Sequence, residues 1–460
     1  MTSTTTNSDY RTLSFWLDSL VESGSDDLVP RAALSGDENA DVVIIGAGLT
    51  GLWTAYYLSQ RNPALKVVVL EKHIAGFGAS GRNGGWCSAL FPASTAALTR
   101  RHGRIAALAM RQAMIDTVDE VGRVTAAESI ECDFQKGGTV AFARDRVQLR
   151  AAQAEVAEAL AYGVDRLELW GAERSPVGLG ATWDPACARV HPAKLVRGLA
   201  ALLERRGVTI FEQSEVLSYG PRRVLTAAGS VQSTSVIVAT EGYGAPGAAT
   251  DRAILPLYSL MIATEPLSDA FWQETGIEHG QTFTDHRHLL IYGQRTADNR
   301  FAFGGRGARY HWGSSIRPEY DRDPRVFEHL RASLVSLFPQ AADAAITHRW
   351  GGPLGVPRDW HASVSYDPAT GIGRAGGYVG DGLSTTNLAG RTLAELITGV
   401  NSSLTRLPWV GHHSPRWEPE PFRFLGSNLG LAAMTVADAE EGITGRASIA
   451  ARLMGPLVGH

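Results

Sequence analysis

Residues 42–45, Val-Val-Ile-Ile, run straight into Gly46-Ala47-Gly48-Leu49-Thr50-Gly51, and this junction restricts the fold more than any other part of the chain. Four consecutive β-branched apolar residues read as a strand buried on both faces. The glycines that follow have the spacing G-x-G-x-x-G, and each meets a different need. Gly46 allows a tight turn, Gly48 lets backbone approach a pyrophosphate, and Gly51 lets a helix pack closely on the strand. A helix over residues 49–60 and a second buried strand at Val67–Leu70 complete a βαβ unit. The helix N-terminus turns its partial positive charge to the phosphates. Glu71 ends the second strand twenty residues beyond Gly51, where a carboxylate accepts hydrogen bonds from ribose hydroxyls. Strand, spacing, helix and acid together predict a dinucleotide site, without choosing between NAD and FAD.

Residues 71–88 are crowded with glycine around a lone Arg82. Glycine costs backbone entropy on folding and brings no side chain to a core, so such a cluster marks backbone that must approach something closely. The chain has 460 residues, 44% of them apolar, enough to bury a large core in two or three domains. A net charge of -4 supplies no basic field, so nucleic acid is not an expected partner. The opening residues lack the basic start and apolar run of a secretory signal, and no stretch reaches about 18 uncharged apolar residues. A cytoplasmic protein without a membrane span is expected. Cys87, Cys132 and Cys187 are odd in number and in no metal spacing, which reads as free thiols in a reducing compartment. His412-His413 and His286-x-His288 have no acid cluster beside them, so no metal site is expected.

The fingerprint, followed by the run Gly76 to Gly85, resembles the FAD-dependent oxidoreductases of the D-amino acid oxidase superfamily, of the glycine and sarcosine oxidase type. Within it the gamma-glutamylputrescine oxidoreductase-like members are the most similar. The resemblance spans roughly residues 41–399 and implies FAD. It places Gly46, Gly48, Leu49, Thr50 and Gly51 at the pyrophosphate, and Glu71 with Lys72 at the adenosine ribose. Gly78, Ala79, Ser80, Arg82, Asn83, Gly84 and Gly85 would pass beside the pyrophosphate and ribityl chain, their glycines opening backbone donors to the cofactor. Val216 would lie near adenine, and Thr240 in a turn closing over FAD, where the neighbouring Glu241 departs from the family's small residue. Gly382, Leu383, Ser384 and Thr385 would open a helix towards the flavin, with Ser384 or Thr385 as a possible N-cap.

The expected fold is α/β, a Rossmann-like FAD-binding domain with a discontinuous mixed-sheet α+β substrate domain. Residues 41–90, 190–251 and 349–400 are assigned to the first and 91–189 and 252–348 to the second. Residues 1–40 form an arm anchored by Phe15, Trp16 and Leu17, and 401–460 a second arm with a helix over about 429–453.

The resemblance implies oxidation of the C-N bond of a primary or secondary amine or amino acid. Hydride passes to flavin, water hydrolyses the imine, and O2 takes the electrons to give peroxide. A dehydrogenase feeding a quinone or protein acceptor and a non-catalytic FAD-binding subunit are the alternatives; NAD-dependent transfer fits the later motifs less well. Because an amine must lose its proton before it reacts, an aromatic wall is expected to serve better than a carboxylate. Tyr258, Tyr292, Trp350 and His361 are candidates for that wall, and Arg306 or Arg295 for holding a substrate carboxylate. No cysteine follows Cys187, and Arg82 stands where a histidine link to flavin would align, so FAD is expected to be non-covalent. The only lysines are Lys66, Lys72, Lys136 and Lys194, so the lysine that sarcosine oxidases hold over the flavin has no counterpart.

Overall fold

The computed structural model describes residues 10–164, 166–244 and 252–448. Two sheets face each other across a cavity. The first is built on five parallel strands in the order Ile372–Gly376, Ser230–Val238, Glu38–Ile45, Val67–Leu70, Thr209–Phe211, with Ser363–Asp367 antiparallel at one edge. Val42 to Ile45 and Val67 to Leu70 are all buried, as strands covered on both faces must be. One face is covered by the helices Leu49–Arg61, Pro192–Arg205 and Gly382–Ile397, the other by a hairpin closed over Val43, Val68 and Val236. The helices Leu49–Arg61 and Gly382–Ile397 cross so closely that a Cβ at Gly390 would lie 2.6 Å from the Trp53 backbone.

The second sheet runs Ile346–Pro357, Ile254–Thr264, Phe301–Arg306, Ile291–Arg295, Thr282–Asp285, Thr139–Ala143, Gly180–Asp184, Glu168–Gly171. Its pairs are antiparallel except for Thr282–Asp285 beside Thr139–Ala143, where the two sequence-separated pieces join. A mixed sheet assembled from discontinuous segments is the fold expected.

Several elements lie across the expected segment boundaries. Residues 349–357 pair within the second sheet rather than the first. The helices Thr95–His102 and Arg104–Ala127 were assigned to the substrate piece, yet Leu98, Met110 and Val118 share a core with Leu52, Trp53 and Leu388 of the first layer. Helical periodicity shows that a face is buried without showing which sheet buries it. The C-terminal helix is Phe422–Thr444, starting earlier than expected, and residues 449–453 of that expectation lie outside the described residues, as do residues 245–251 of the expected 190–251 segment. Among the described residues no helix is long and apolar enough to cross a membrane.

The N-terminal arm forms the helix Phe15–Glu22, capped by Ser14, with Phe15, Trp16 and Leu17 buried. It docks on the glycine-rich segment through hydrogen bonds from Ser14 Oγ to Gly81 O and from Trp16 Nε1 to Asn83 O, both 2.8 Å. Trp350 Nε1 takes the carbonyl between them, Arg82 O, at 2.9 Å. Three successive carbonyls are thus held by side chains of the arm and of Trp350.

Candidate active site

A cavity of about 1030 Å³ lies between the sheets, lined by the fingerprint, by the glycine-rich segment and by the second sheet. Gly46 adopts φ 105°, and a Cβ there would meet Ala239 O at 2.7 Å. A Cβ on Gly51 would stand 2.1 Å from Gly46 O, which is the close packing of helix on turn that its position demands. Gly46, Gly48, Leu49 and Thr50 line the cavity, whereas Gly51 is behind it. The helix opening at Leu49 has no cap from its N-cap residue, Gly48, although Leu49 N donates to Ser80 Oγ at 2.8 Å. The helix Gly382–Ile397 begins the same way, with no side-chain cap from Asp381. Gly382 and Leu383 line the cavity, and a hydrogen bond of 3.0 Å between Thr50 Oγ1 and Tyr378 Oη ties the two helix starts together. Ser384 and Thr385 are not the N-cap. They lie in the first turn, buried behind the wall, and bond Ser88 O and Asp381 O.

Glu71 is half-buried at the cavity wall, its two oxygens accepting from Ala47 N and His73 N at 2.9 Å each. Burial pushes its carboxyl up, against those two amides. Each oxygen keeps a second lone pair for a hydroxyl. Lys72 reaches outward to Glu215 at 2.7 Å, and Val216 and Thr240 complete this side. Glu241 replaces the expected small residue without disturbing the turn. It takes φ 44° and accepts backbone N–H groups of Gly355, Gly377 and Tyr378, so one half-buried carboxylate joins both layers.

Gly78, Ala79, Ser80, Arg82, Asn83 and Gly84 line the cavity, but Gly85 does not. The last two glycines also answer to packing within the protein. A Cβ at Gly84 would lie 2.6 Å from the Tyr292 ring, and one at Gly85, where φ is 70°, 2.3 Å from Val190 O. Arg82 is a clamp between the layers: Nε donates to Phe77 O at 2.7 Å, Nη1 to Asp321 at 2.8 Å, and Nη2 to Tyr243 Oη at 3.2 Å.

Of the expected catalytic side chains, Tyr292 and Arg306 line the cavity. Tyr292 Oη lies 2.8 Å from Ser259 Oγ, which itself donates to Gly305 O. The Arg306 guanidinium donates Nη2 to Val379 O at 2.8 Å, its one side-chain hydrogen bond among the described residues, and lies over the Trp360 ring. The remaining candidates are elsewhere. Tyr258 packs edge-on against His311 and Tyr320, Trp350 against the N-terminal arm, and Arg295 binds Asn299 and Ile277 O. His361 is buried against His412, its ring pushed down to about 4 first by burial and then by the His412 charge. His286 and His288 face Glu155 and Glu441 separately. Cys87, Cys132 and Cys187 are free and buried.

Asp381, not foreseen from sequence, is also on the cavity wall beside Arg306. Burial raises its carboxyl to about 6, with the Arg306 charge opposing. Its only sequence signal is an acid between Gly380 and Gly382 at a helix start.

The cavity's size, its two helix N-termini without N-cap side chains, and the half-buried acid at the strand end fit a dinucleotide. Residues 41–396 match the family described as FAD dependent oxidoreductase (DAO). The chain belongs to that family of FAD-dependent oxidoreductases. It is 32% identical over 388 residues to the probable oxidoreductase OrdL of Haemophilus influenzae, covering 80% of this chain and 85% of that one. To the gamma-glutamylputrescine oxidoreductase of Escherichia coli it is 30% identical, covering 86% and 93%. Among solved structures, glycine oxidase from Geobacillus kaustophilus superposes with a TM-score of 0.67 at 18% identity, covering 82% of this chain and 99% of that one.

Proposed function

We propose that the protein oxidises the C-N bond of a primary or secondary amine that also carries a carboxylate. The observation that carries the reading is Arg306, a guanidinium on the cavity wall with a single protein hydrogen bond. Burial lowers its pKa from the ordinary guanidinium value, yet that value is so high that it stays charged. A planar fork with free donors matches a carboxylate bidentately.

FAD, when bound, would supply the acceptor for the hydride that leaves the substrate carbon. Gly48, Leu49 and Thr50 would hold its pyrophosphate, Glu71 its ribose, and Gly382 with Leu383 would turn the second helix N-terminus to the flavin. Arg306 fixes the carboxylate, so the substrate nitrogen falls within the same pocket as Asp381. A carboxyl raised to about 6 is a stronger proton acceptor than an ordinary one and is ionised at neutral pH. Asp381 takes the ammonium proton, and Tyr292, held by Ser259, closes the wall. The earlier preference for a wholly aromatic wall gives way to this acid. FAD is held without a covalent bond: burial pushes the Cys187 thiol at the cavity up to about 11, leaving little thiolate. O2 is the proposed acceptor, with the Arg306 charge in the place of the missing lysine.

The test is anaerobic reduction of the bound flavin by a panel of amines with and without a carboxylate. Bleaching by the carboxylate-bearing members is expected, followed by recovery and peroxide when air is admitted. Bleaching by simple amines alone sinks the carboxylate assignment; recovery only with a quinone moves the protein to the dehydrogenases. Acid precipitation is expected to release all flavin into the supernatant.

A further inference from the structure

Three histidines from distant parts of the chain meet outside the FAD cavity. His102 closes the helix Thr95–His102, His361 lies between the strands Ile346–Pro357 and Ser363–Asp367, and His412 follows the turn Leu404–Arg406. One ring nitrogen from each lies within 4.8 Å of the others. His361 is only 2% exposed. Its Nδ1 stands 2.7 Å from Ala362 O, which fixes the proton there and makes Nε2 a lone pair. That Nε2 is buried with no hydrogen-bond partner, and so is His102 Nε2. Buried polar atoms are almost always satisfied, so two orphans facing one small volume call for an occupant.

We propose that His102, His361 and His412 bind a divalent metal ion of the zinc class, with Asp359 behind His412 as the charge partner. Asp359 Oδ2 lies 2.9 Å from His412 Nε2, the carboxylate–histidine pairing that orients imidazole ligands. Arg101 Nη1 is 2.8 Å from the same oxygen and 3.5 Å from His412 Nε2, and its charge opposes a cation. Asp359 offsets it. Three imidazoles and one open position are a known zinc arrangement. Zinc–nitrogen bonds of about 2.0–2.1 Å set the corners of a tetrahedron about 3.3 Å apart, so the rings must close by no more than about 1.5 Å. The ion would pin a helix end, a loop and the C-terminal segment together. That loop carries Trp360, whose ring lies 5.2 Å beneath the Arg306 guanidinium, so the site braces the cavity wall from outside.

The holoenzyme is stripped with a chelator, desalted and titrated with zinc sulfate, bound zinc being counted by elemental analysis. One zinc per chain is expected, with X-ray absorption showing imidazole nitrogens at about 2.0–2.1 Å. His102→Gln and His412→Gln are each expected to weaken binding at least about 100-fold while keeping full flavin absorbance. His413→Gln, altering the exposed neighbour, is expected to bind as the parent does. No stoichiometric zinc in the parent overturns the site, as does a coordination shell of oxygens only. Unchanged affinity in both His102→Gln and His412→Gln overturns it equally, and the absorption spectrum of the parent decides even if a variant fails to fold.

Discussion

On the Glu71 side of the cavity the wall is mostly backbone, two helix starts and glycines; on the Arg306 side it is side chains drawn from separate strands and loops. In the proposed function the first side would recognise the cofactor by main-chain donors, so an added side chain there is expected to block it. The second would position a substrate by charge, and single exchanges of its side chains are expected to change activity more than cofactor content. Gly48 tests this difference most severely. Its position lines the cavity, and a Cβ there already lies 3.0 Å from Ser80 Oγ, so the branches of Gly48→Val must enter the space of the pyrophosphate. Flavin content below about a tenth of the parent's is expected, read from visible absorbance of the purified variant. Full flavin in that variant would remove the fingerprint from the site.

Asp381→Asn addresses the other side and is expected to leave flavin content intact. Burial raises this carboxyl to about 6, so it is ionised above that pH and protonated below it. If it takes the substrate proton, kcat/KM falls as pH drops through about 6. The asparagine variant loses that acidic limb and about 100-fold in kcat/KM at pH 8, in line with a missing general base. An acidic limb that persists in Asp381→Asn assigns the titration to another group. Arg306→Lys is expected to be milder, because one charge-assisted hydrogen bond survives. A loss of about 2 kcal/mol corresponds to a rise of about 30-fold in KM for a carboxylate-bearing amine, with no change for an amine that lacks one.

The same contrast explains what could be read from the sequence. The fingerprint side is local: strand, turn, helix and acid follow one another between Val42 and Glu71, and the chemistry of each position is set by its neighbours in the chain. The other side depends on which strands pair. Tyr292 and Tyr258 lie on two strands of one sheet, either side of Phe301–Arg306, yet only Tyr292 lines the cavity. Alternation along a strand gives two faces without saying which one meets the cofactor. Asp381 escaped notice because its meaning comes from Arg306, 75 residues away, and from burial that a loop sequence does not reveal. The meeting of His102, His361 and His412 was equally invisible, since helix end, loop and tail converge only in the folded chain. Gly84 and Gly85 were read as room for a ligand, but what they make room for includes Tyr292 and Val190.

Tyr292→Phe gives the smallest expected effect and sets the boundary between wall and chemistry. The hydroxyl's hydrogen bond is to Ser259, which also donates to Gly305 O, so Tyr292 is the donor in the pair. Burial raises the phenol's pKa, which keeps it neutral and unsuited to accept the substrate proton. Its ring fills the space against Gly84 and Gly304, and phenylalanine keeps that ring. The variant therefore loses one neutral hydrogen bond, about 1 kcal/mol of stability, with flavin content unchanged and kcat within about threefold of the parent. Thermal denaturation and steady-state kinetics on the same preparation separate the two. A fall in kcat approaching that of Asp381→Asn would mean that the phenol acts on the reacting atoms, and the side-chain half of the cavity would then hold two proton-handling groups instead of one.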